Sequence, residues 1–94
     1  MVYPVREEAV TIGRSASATI QAIDKRVSRH HCVLRMNRDS YVVEDLGSKN
    51  GTRVNGRPVD ARTMLFDGAV IVLGTTALKF RIFATPSSTE TVTR

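Results

Sequence analysis

The sequence predicts an all-β domain, built as a sandwich of two β-sheets with mostly antiparallel strands. Three observations support this fold class. Short apolar segments recur along the chain, polar turn segments separate them, and no window shows the 3.6-residue period of an amphipathic helix. Two Asn-Gly pairs provide residues that accept the positive φ of tight turns. The length of 94 residues leaves room for one such domain.

Five segments carry strand patterns, either with apolar residues at every second position or as a continuous apolar run: residues 10–12, 30–36, 41–46, 69–73 and 78–82. In the second of these segments Cys32, Leu34 and Met36 share one face, and Cys32 is expected as a small core residue. The run 69–73 is apolar throughout, which predicts a strand that is covered on both faces.

A hairpin and a tail complete the organisation of the chain. Asn55-Gly56 lies between two short strand-like segments, which predicts two strands joined by a two-residue turn. The last ten residues are polar and rich in Ser and Thr. We therefore expect a folded domain over residues 1–84 and a disordered tail or linker over residues 85–94.

The charge of the chain suits an anionic partner. The formal net charge is +5, which would favour nucleic acid, acidic lipid or a phosphate group. The basic residues are spread along the chain without a long Lys/Arg run, and the aromatic residues are only two Tyr and three Phe. Binding of single-stranded nucleic acid uses aromatic side chains on which bases stack, so this composition argues against nucleic acid as the partner.

Three features of the sequence bear on its compartment. No apolar run approaches the roughly 20 residues that a membrane-spanning helix needs. The first residues lack the apolar core of a secretion signal, and the single cysteine cannot form an internal disulfide. The sequence therefore predicts a cytoplasmic protein, or a nuclear one if the source is eukaryotic, with no membrane segment.

Candidate binding residues lie in three polar segments at predicted strand ends or loops: Gly13-Arg14, residues 28–31 and residues 47–52. Loops at one end of a sandwich can converge, and binding residues are common there. Arg14, Ser28 and Lys49 together would offer a guanidinium fork, a hydroxyl and an ammonium, which are suitable donors for phosphate oxygens. From spacing alone this convergence is a hypothesis, and a solvated arginine, a turn serine and an exposed loop lysine are the alternatives.

Catalysis and metal binding find little support in the residues. No nucleophile lies beside a recognisable base. The segment 47–52 lacks the G-x-x-x-x-G-K-[ST] spacing of a nucleotide-binding loop. His30 and His31 are adjacent on a predicted strand and would point to opposite faces, so they cannot readily chelate one metal ion. We predict that the protein is not an enzyme and uses no cofactor or metal.

Four motifs, in this order and spacing, resemble the signature of the forkhead-associated (FHA) domains: Gly13-Arg14, Ser28-Arg29-x-His31, Ser48-x-Asn50-Gly51-Thr52 and Val54-Asn55-Gly56. The resemblance covers residues 8–84, which is nearly the whole chain apart from the tail. It implies the same two-sheet sandwich, with a peptide bound by loops at one end. It also implies the function of a module that binds phosphothreonine on partner proteins in kinase signalling.

The resemblance gives each binding residue a role. Arg14 and Ser28 look like phosphate ligands, and Lys49 is the third, at a position where many family members carry Thr or Ser. Arg29 occupies a position that often contacts the bound peptide. Asn50 looks like the residue that hydrogen-bonds the peptide backbone beside the phosphothreonine.

Four further motif residues look structural under the same resemblance. Gly13 is implied to allow close packing, and His31 is implied to be a buried residue that holds the binding loops together. Asn55 and Gly56 look like turn residues. None of the four is expected to touch the ligand.

Other functions and ligands stay open at this point. A phospho-independent scaffolding or self-association domain would bind phosphorylated and unphosphorylated partners equally. A nucleic-acid-binding domain would show steep salt dependence without preference for phosphothreonine. The threonines of the tail are candidate kinase targets, so the phosphorylated tail is a candidate ligand of its own domain.

Overall fold

The computed structural model describes residues 2–6, 8–38 and 40–82. Within these ranges the chain forms nine β-strands and no helix: β1 (Ala9–Gly13), β2 (Ile20–Gln21), β3 (Cys32–Asn37), β4 (Ser40–Asp45), β5 (Thr52–Val54), β6 (Arg57–Pro58), β7 (Thr63–Leu65), β8 (Val70–Leu73) and β9 (Thr76–Lys79). A helix that could cross a membrane is accordingly not found in the described part of the chain. The predicted tail, residues 85–94, lies outside the described residues.

The strands are arranged in two sheets. The larger sheet has the order β2-β1-β3-β4-β7, and the smaller sheet has the order β6-β5-β8-β9. All neighbouring strands are antiparallel except β1 and β2, which pair in parallel. The all-β sandwich of two mostly antiparallel sheets that the sequence predicts is confirmed.

The core lies between the two sheets and includes apolar side chains from both: Val10, Ile12, Cys32, Leu34, Val43, Val54, Ile71 and Leu73. Cys32 is fully buried, as the sequence predicts. Burial raises the pKa of its thiol to about 12. The thiol is therefore protonated at neutral pH, and it packs as a small apolar side chain.

The predicted hairpin is present between β5 and β6. Val54 pairs with Arg57, and the two residues between them, Asn55 and Gly56, have φ angles of 51° and 85°. Two successive positive φ angles are typical of a type I′ turn, whose twist matches that of the flanking strands. The main-chain N–H of Asn55 donates to the carbonyl of Val70, and its Oδ1 accepts from the N–H of Val70, both at 2.9 Å, which holds the turn against β8.

Two predicted strands have different bounds in the structure. β3 begins at Cys32 rather than at residue 30, because the chain bends at residues 29 and 30, where the carbonyl of Arg29 accepts a hydrogen bond from the N–H of Ser15. β9 ends at residue 79 rather than at residue 82, because the N–H of Ile82 donates to Oδ1 of Asp67 at 2.7 Å instead of to a neighbouring strand.

The prediction of a strand covered on both faces was wrong for β8. Ile71 and Leu73 are buried on the inner face, whereas Val70 and Val72 remain partly exposed, because no further layer of the described residues covers the outer face of the smaller sheet. Strands β2 and β7 were not predicted. They have two and three residues, too few to show a period of two.

The pairing register brings several loops to one end of the sandwich. In the larger sheet Ile12 pairs with Cys32, and Cys32 pairs with Asp45, so β1 and β4 end beside the start of β3. In the smaller sheet the first residue of β5, Thr52, pairs with the last residue of β8, Leu73. Four connections leave the sheets here, and we call this region the loop end: residues 14–19, 22–31, 46–51 and 74–75.

Candidate functional site

Arg14 is the first residue after β1, and it is attached to the loop 22–31 by two hydrogen bonds. Its main-chain N–H donates to the carbonyl of Ser28 at 2.9 Å, and its Nε donates to the carbonyl of Val27 at 2.9 Å. The side chain is exposed, and no described residue pairs with its two terminal nitrogens. The guanidinium is thus held by Nε while two parallel donors remain available for an oxyanion.

Gly13 allows the close approach of β1 to the loop 22–31. A Cβ atom at this position would lie 2.9 Å from Cα of His30 and would collide with the main-chain carbonyl of Arg29. The neighbouring hydrogen bond, from the N–H of Ser15 to the carbonyl of Arg29 at 3.1 Å, depends on the same approach. A side chain at residue 13 would therefore separate the two segments that carry Arg14 and Ser28.

Ser28 belongs to the loop 22–31 and contacts the loop 46–51. Its Oγ accepts a hydrogen bond from the main-chain N–H of Lys49 at 3.1 Å. A serine hydroxyl has one proton to donate and two lone pairs. Because one lone pair is used by Lys49, the proton remains available for an acceptor outside the protein.

His31 connects the loop 22–31 to the loop 46–51, and its side chain is fully buried. Its Nδ1 accepts from the N–H of Ser28 at 3.0 Å, which requires that Nδ1 carries no proton. The proton of the neutral imidazole must then be on Nε2, which lies 2.8 Å from the carbonyl of Gly51 and donates to it. One neutral side chain therefore holds the two loops at a fixed distance.

Asp45 joins the end of β4 to the start of β5. Its Oδ1 accepts from the hydroxyls of Thr52 at 2.6 Å and Ser48 at 2.7 Å, and its Oδ2 accepts from the N–H of Ser48 at 2.8 Å. Burial of the carboxyl opposes its ionisation, but these hydrogen bonds outweigh burial and hold the pKa of Asp45 below its ordinary value. The sequence patterns gave Asp45 no role in the site, although Ser48, three residues later, is a local signal for it.

The variant Asp45→Asn is expected to lower the free energy of unfolding by about 2 kcal/mol at neutral pH, because the amide cannot replace three charge-assisted hydrogen bonds. The pKa of Asp45 is lower in the folded than in the unfolded protein. Its stabilisation is therefore complete above the unfolded pKa and is lost as the pH falls through the folded pKa.

Urea unfolding across a pH series checks this prediction. The difference between wild type and Asp45→Asn is expected to narrow as the pH falls below about 4 and to close once the pH is below the folded pKa. The matched control is Asp60→Asn, which removes an exposed carboxyl with no hydrogen bond to the described residues. A difference between wild type and Asp45→Asn that stays constant down to the lowest pH would contradict the role of the ionised carboxylate.

Asn50 and Arg29 border the residues described above. Nδ2 of Asn50 donates to the carbonyl of Arg26 at 2.8 Å, which orients the amide and leaves its Oδ1 without a partner among the described residues. Both Asn50 and Arg29 are exposed. Arg29 is fixed through its main chain, because its carbonyl accepts the hydrogen bond from Ser15, while its side chain forms no hydrogen bond with the part of the chain that is described.

Asp24 is a second carboxylate that the sequence analysis did not assign to the site. Its Oδ2 accepts from the N–H and the hydroxyl of Thr75, at 2.9 and 2.7 Å, and from the hydroxyl of Thr76 at 2.7 Å. Its Oδ1 accepts from the N–H of Arg26 at 2.9 Å. The hydroxyl of Thr75 is the main reason that the pKa of Asp24 is far below its ordinary range. Asp24 thereby ties the loop 22–31 to the turn between β8 and β9.

Positive charge at the loop end has no acidic partner among residues 2–6, 8–38 and 40–82. Six basic residues lie in or beside its loops: Arg14, Lys25, Arg26, Arg29, Lys49 and Arg53. The ion pairs of Arg and Lys side chains among the described residues all lie elsewhere, on Glu44 and Asp67. The two carboxylates at this end, Asp24 and Asp45, are occupied by hydroxyl and N–H donors. The loop end is therefore a strongly cationic surface suited to an anion.

Metal ligands do not cluster in this region. No group of three or more His, Cys, Asp or Glu side chains that could hold a metal ion occurs within residues 2–6, 8–38 and 40–82. The groups of Arg14, Ser28 and Lys49 that remain available for a ligand are hydrogen-bond donors, and donors bind an anion rather than a cation.

Comparisons with known proteins all point to one family. The family model for the FHA domain matches residues 10–74. The FHA domain-containing protein FhaA of Mycobacterium tuberculosis is 42% identical over 72 residues, which cover 77% of this chain and 14% of that protein. The oxoglutarate dehydrogenase inhibitor of Corynebacterium jeikeium is 38% identical over 84 residues, which cover 89% of this chain and 55% of that protein. The chain thus spans only part of the length of these relatives.

The comparison with solved structures points to the same family. A solved structure from a structural and functional analysis of phosphothreonine-dependent FHA domain interactions superposes on this chain with a TM-score of 0.83 at 37% sequence identity. The match covers 88% of this chain and 85% of that chain. Together with the family match over residues 10–74, this similarity shows that the chain belongs to the FHA domain family.

Proposed function

We propose that this chain binds phosphothreonine on partner proteins and acts as a protein–protein interaction module in kinase signalling. The observation that carries the proposal is the pair Arg14 and Ser28. They are joined by a main-chain hydrogen bond, each is anchored by a further bond, and each keeps donors for a ligand. The similar solved structure, from an analysis of phosphothreonine-dependent FHA domain interactions, supports the same ligand.

Recognition of the phosphate would use directed donors and general positive charge. A phosphothreonine carries about −1.5 to −2 charge at neutral pH. The two terminal nitrogens of Arg14 would bind two of its oxygens, and the hydroxyl of Ser28 would donate to one of them. The ammonium of Lys49, next to Ser28, would add a flexible point charge without fixed geometry. No step of covalent chemistry is involved, so the domain is proposed to bind and not to catalyse.

Recognition of the peptide around the phosphate would use Asn50 and Arg29. Oδ1 of Asn50 would accept an N–H of an extended peptide, since its Nδ2 is already bound to the carbonyl of Arg26. Arg29 would reach the ligand from the opposite loop. The free Cys32 thiol fits a reducing compartment, and we propose the cytoplasm, or the nucleus in a eukaryote, as the place of this function.

The decisive experiment compares a phosphothreonine peptide library with its unphosphorylated twin, with wild-type protein at constant ionic strength. We expect binding of the phosphorylated library alone. Equal binding to both libraries would favour the alternative of a phospho-independent scaffold or self-association domain. Binding to nucleic acid that weakens steeply with salt, without preference for phosphothreonine, would favour the basic surface as a nucleic-acid site.

The variant Ser28→Ala is expected to weaken binding of the selected phosphopeptide by about tenfold, because one charge-assisted hydrogen bond is lost. Isothermal titration calorimetry measures the change. Ser40→Ala is the matched control, since Ser40 begins β4 at the opposite end from the loops. Unchanged affinity of Ser28→Ala, in a protein that unfolds at the wild-type temperature, would exclude Ser28 as a phosphate ligand.

A further inference from the structure

The smaller sheet has an uncovered edge along β9. The sheets of the described residues end in four edge strands, which are β2 and β7 in the larger sheet and β6 and β9 in the smaller one. β2 and β6 have two residues each, β6 contains Pro58, and β7 has three residues. β9 has four residues, and no described strand pairs with it on the side away from β8. Unpaired main-chain groups along such an edge can pair with a strand of another chain.

The main-chain groups of Ala77 and Lys79 face this uncovered side. Phe80 directly follows β9, and its N–H donates to the carbonyl of Ala69 at 2.8 Å, while its own carbonyl accepts from the N–H of Gly68 at 2.7 Å. Successive residues of a strand in an antiparallel pair alternate between hydrogen-bonded and non-hydrogen-bonded positions. Lys79 and Ala77 are therefore the non-bonded residues of the pair with β8, and their N–H and C=O groups point outward.

The side chains along the edge differ between the two faces of the sheet. Leu78 lies on the inner face, where it is partly buried and packs against the core. Ala77 and Lys79 lie on the outer face, next to two partly exposed valines of β8. A strand added at this edge would therefore cover Leu78 with one face and lie beside Ala77 and Lys79 with the other.

The charge along this edge favours an acidic partner. The side chain of Lys79 is exposed and forms no ion pair within the described part of the chain. Asp67 interacts electrostatically with Lys79. Its carboxylate, however, is already bound by Nε of Arg81 at 3.2 Å and by the N–H of Ile82 at 2.7 Å. The net charge of +5 opposes a second copy of the chain as the added strand, because that copy would bring a second Lys79 to the same edge.

We infer that the uncovered edge of β9 binds an extended acidic segment of a partner protein as an additional β-strand, without any need for phosphothreonine. The outward N–H and C=O groups of Ala77 and Lys79 form the main-chain hydrogen bonds. The segment places an apolar residue against Leu78 and an Asp or Glu beside Lys79, so apolar and acidic residues alternate along it. This site goes beyond the proposed function, because it uses none of the phosphate-binding residues.

The test uses two short unphosphorylated peptides. In the first, Val alternates with Glu, and in its twin Lys replaces every Glu. In an NMR titration of the wild-type chain, we expect the first peptide to shift the amide signals of Ala77 and Lys79 and to slow their hydrogen exchange. The Lys twin is expected to bind about fivefold more weakly or worse. Shifts confined to the loop end, or equal affinities of the two peptides, overturn the inference.

Two variants of one residue test the main-chain contact. Ala77→Pro removes an outward N–H and no hydrogen bond to β8, whereas Ala77→Thr keeps the N–H and suits a strand. We expect Ala77→Pro to bind the Glu peptide about tenfold more weakly or worse, and Ala77→Thr to bind it as the wild type does. If the two variants have equal affinity, and both unfold at the wild-type temperature, the main chain at residue 77 is not part of the site and the inference fails.

A charge reversal tests the side-chain contact without changing the main chain. Lys79→Glu is expected to reverse the preference, so that the Lys peptide binds better than the Glu peptide. Arg57→Glu is the matched control, since it makes the same change of charge on the exposed strand β6 and should keep the preference for the Glu peptide. A preference that Lys79→Glu leaves as it is, or that Arg57→Glu changes to the same extent, contradicts the edge as the binding site.

The variant Arg14→Ala separates the edge from the proposed phosphate site. It is expected to lose the phosphothreonine peptide and keep the Glu peptide, and Ala77→Pro is expected to do the reverse. If phosphothreonine peptides bind no better than their unphosphorylated twins, the proposed function fails and the edge site stands. If Arg14→Ala loses the Glu peptide, that peptide binds at the loop end and the inference is overturned. Shifts of Ala77 and Lys79 that grow with protein concentration, without peptide, would overturn it in favour of a second copy.

Discussion

The variant Arg14→Ala is expected to weaken binding of a phosphothreonine peptide by about a hundredfold. Arg14 is proposed to donate two parallel hydrogen bonds to the phosphate, and each charge-assisted bond contributes about 1.5–3 kcal/mol. The variant also loses the part-buried hydrogen bond from Nε to the carbonyl of Val27, so its unfolding temperature must be compared with that of the wild type. Calorimetric titration at constant ionic strength measures the affinity.

The charge-preserving variant Arg14→Lys separates the geometry of the fork from its charge. An ammonium cannot donate to Val27 and to two phosphate oxygens in one plane, so we expect a loss of about tenfold. Arg57→Lys, on the exposed strand β6, is the control and should bind as the wild type does. If Arg14→Lys also binds as the wild type does, charge alone is sufficient and the argument from the fork is wrong.

The fold class could be predicted because its signals are local. The alternating apolar residues of β1 and the Asn55-Gly56 turn are each contained within a few residues of sequence. Errors occurred where a partner distant in sequence decides the conformation. The bend at residues 29 and 30 is held by bonds from Arg14 and Ser15 to the loop 22–31, and the N–H of Ile82 bonds to Asp67, so neither predicted strand extends to its expected limit.

The contacts that hold the loop end together could not be predicted from the sequence. Asp24 accepts hydrogen bonds from Thr75 and Thr76, which are 51 and 52 residues away, and no periodicity or turn pattern joins such distant positions. The motifs identified Arg14 and Ser28 as candidates. Their convergence became visible only with the register of the larger sheet, which places the end of β1 beside the start of β3.

The contact made by Lys49 could not be predicted from the sequence either. Its role was predicted from the charge of the ammonium, yet the contact that the structure provides comes from its main-chain N–H, which bonds to Ser28. Any residue except proline could supply that N–H. The position therefore tolerates a change of side chain while the hydroxyl of Ser28 stays oriented, and a ligand role for the ammonium remains a proposal.

The variant Gly13→Ala is expected to lower the free energy of unfolding by about 3 kcal/mol or more, near the upper end of what overpacking causes. The new Cβ would meet main-chain atoms of Arg29 and His30, which cannot rotate away as a side chain could. Either β1 or the loop 22–31 must move. Movement would break the bonds from Arg14 and Ser15 to that loop, so phosphopeptide binding should also fall.

Gly47→Ala is the matched control, because it adds the same methyl group without a collision. Gly47 has a φ of 76° and nothing within 4 Å of a new Cβ, so the expected loss is only the strain of a left-handed alanine, about 1–2 kcal/mol. Urea unfolding measures the free energy of unfolding of both variants, and a titration measures the affinity of each folded variant for the phosphopeptide. If Gly13→Ala is no less stable than Gly47→Ala and binds normally, then the contact between β1 and the loop can relax, and it does not hold Arg14 beside Ser28.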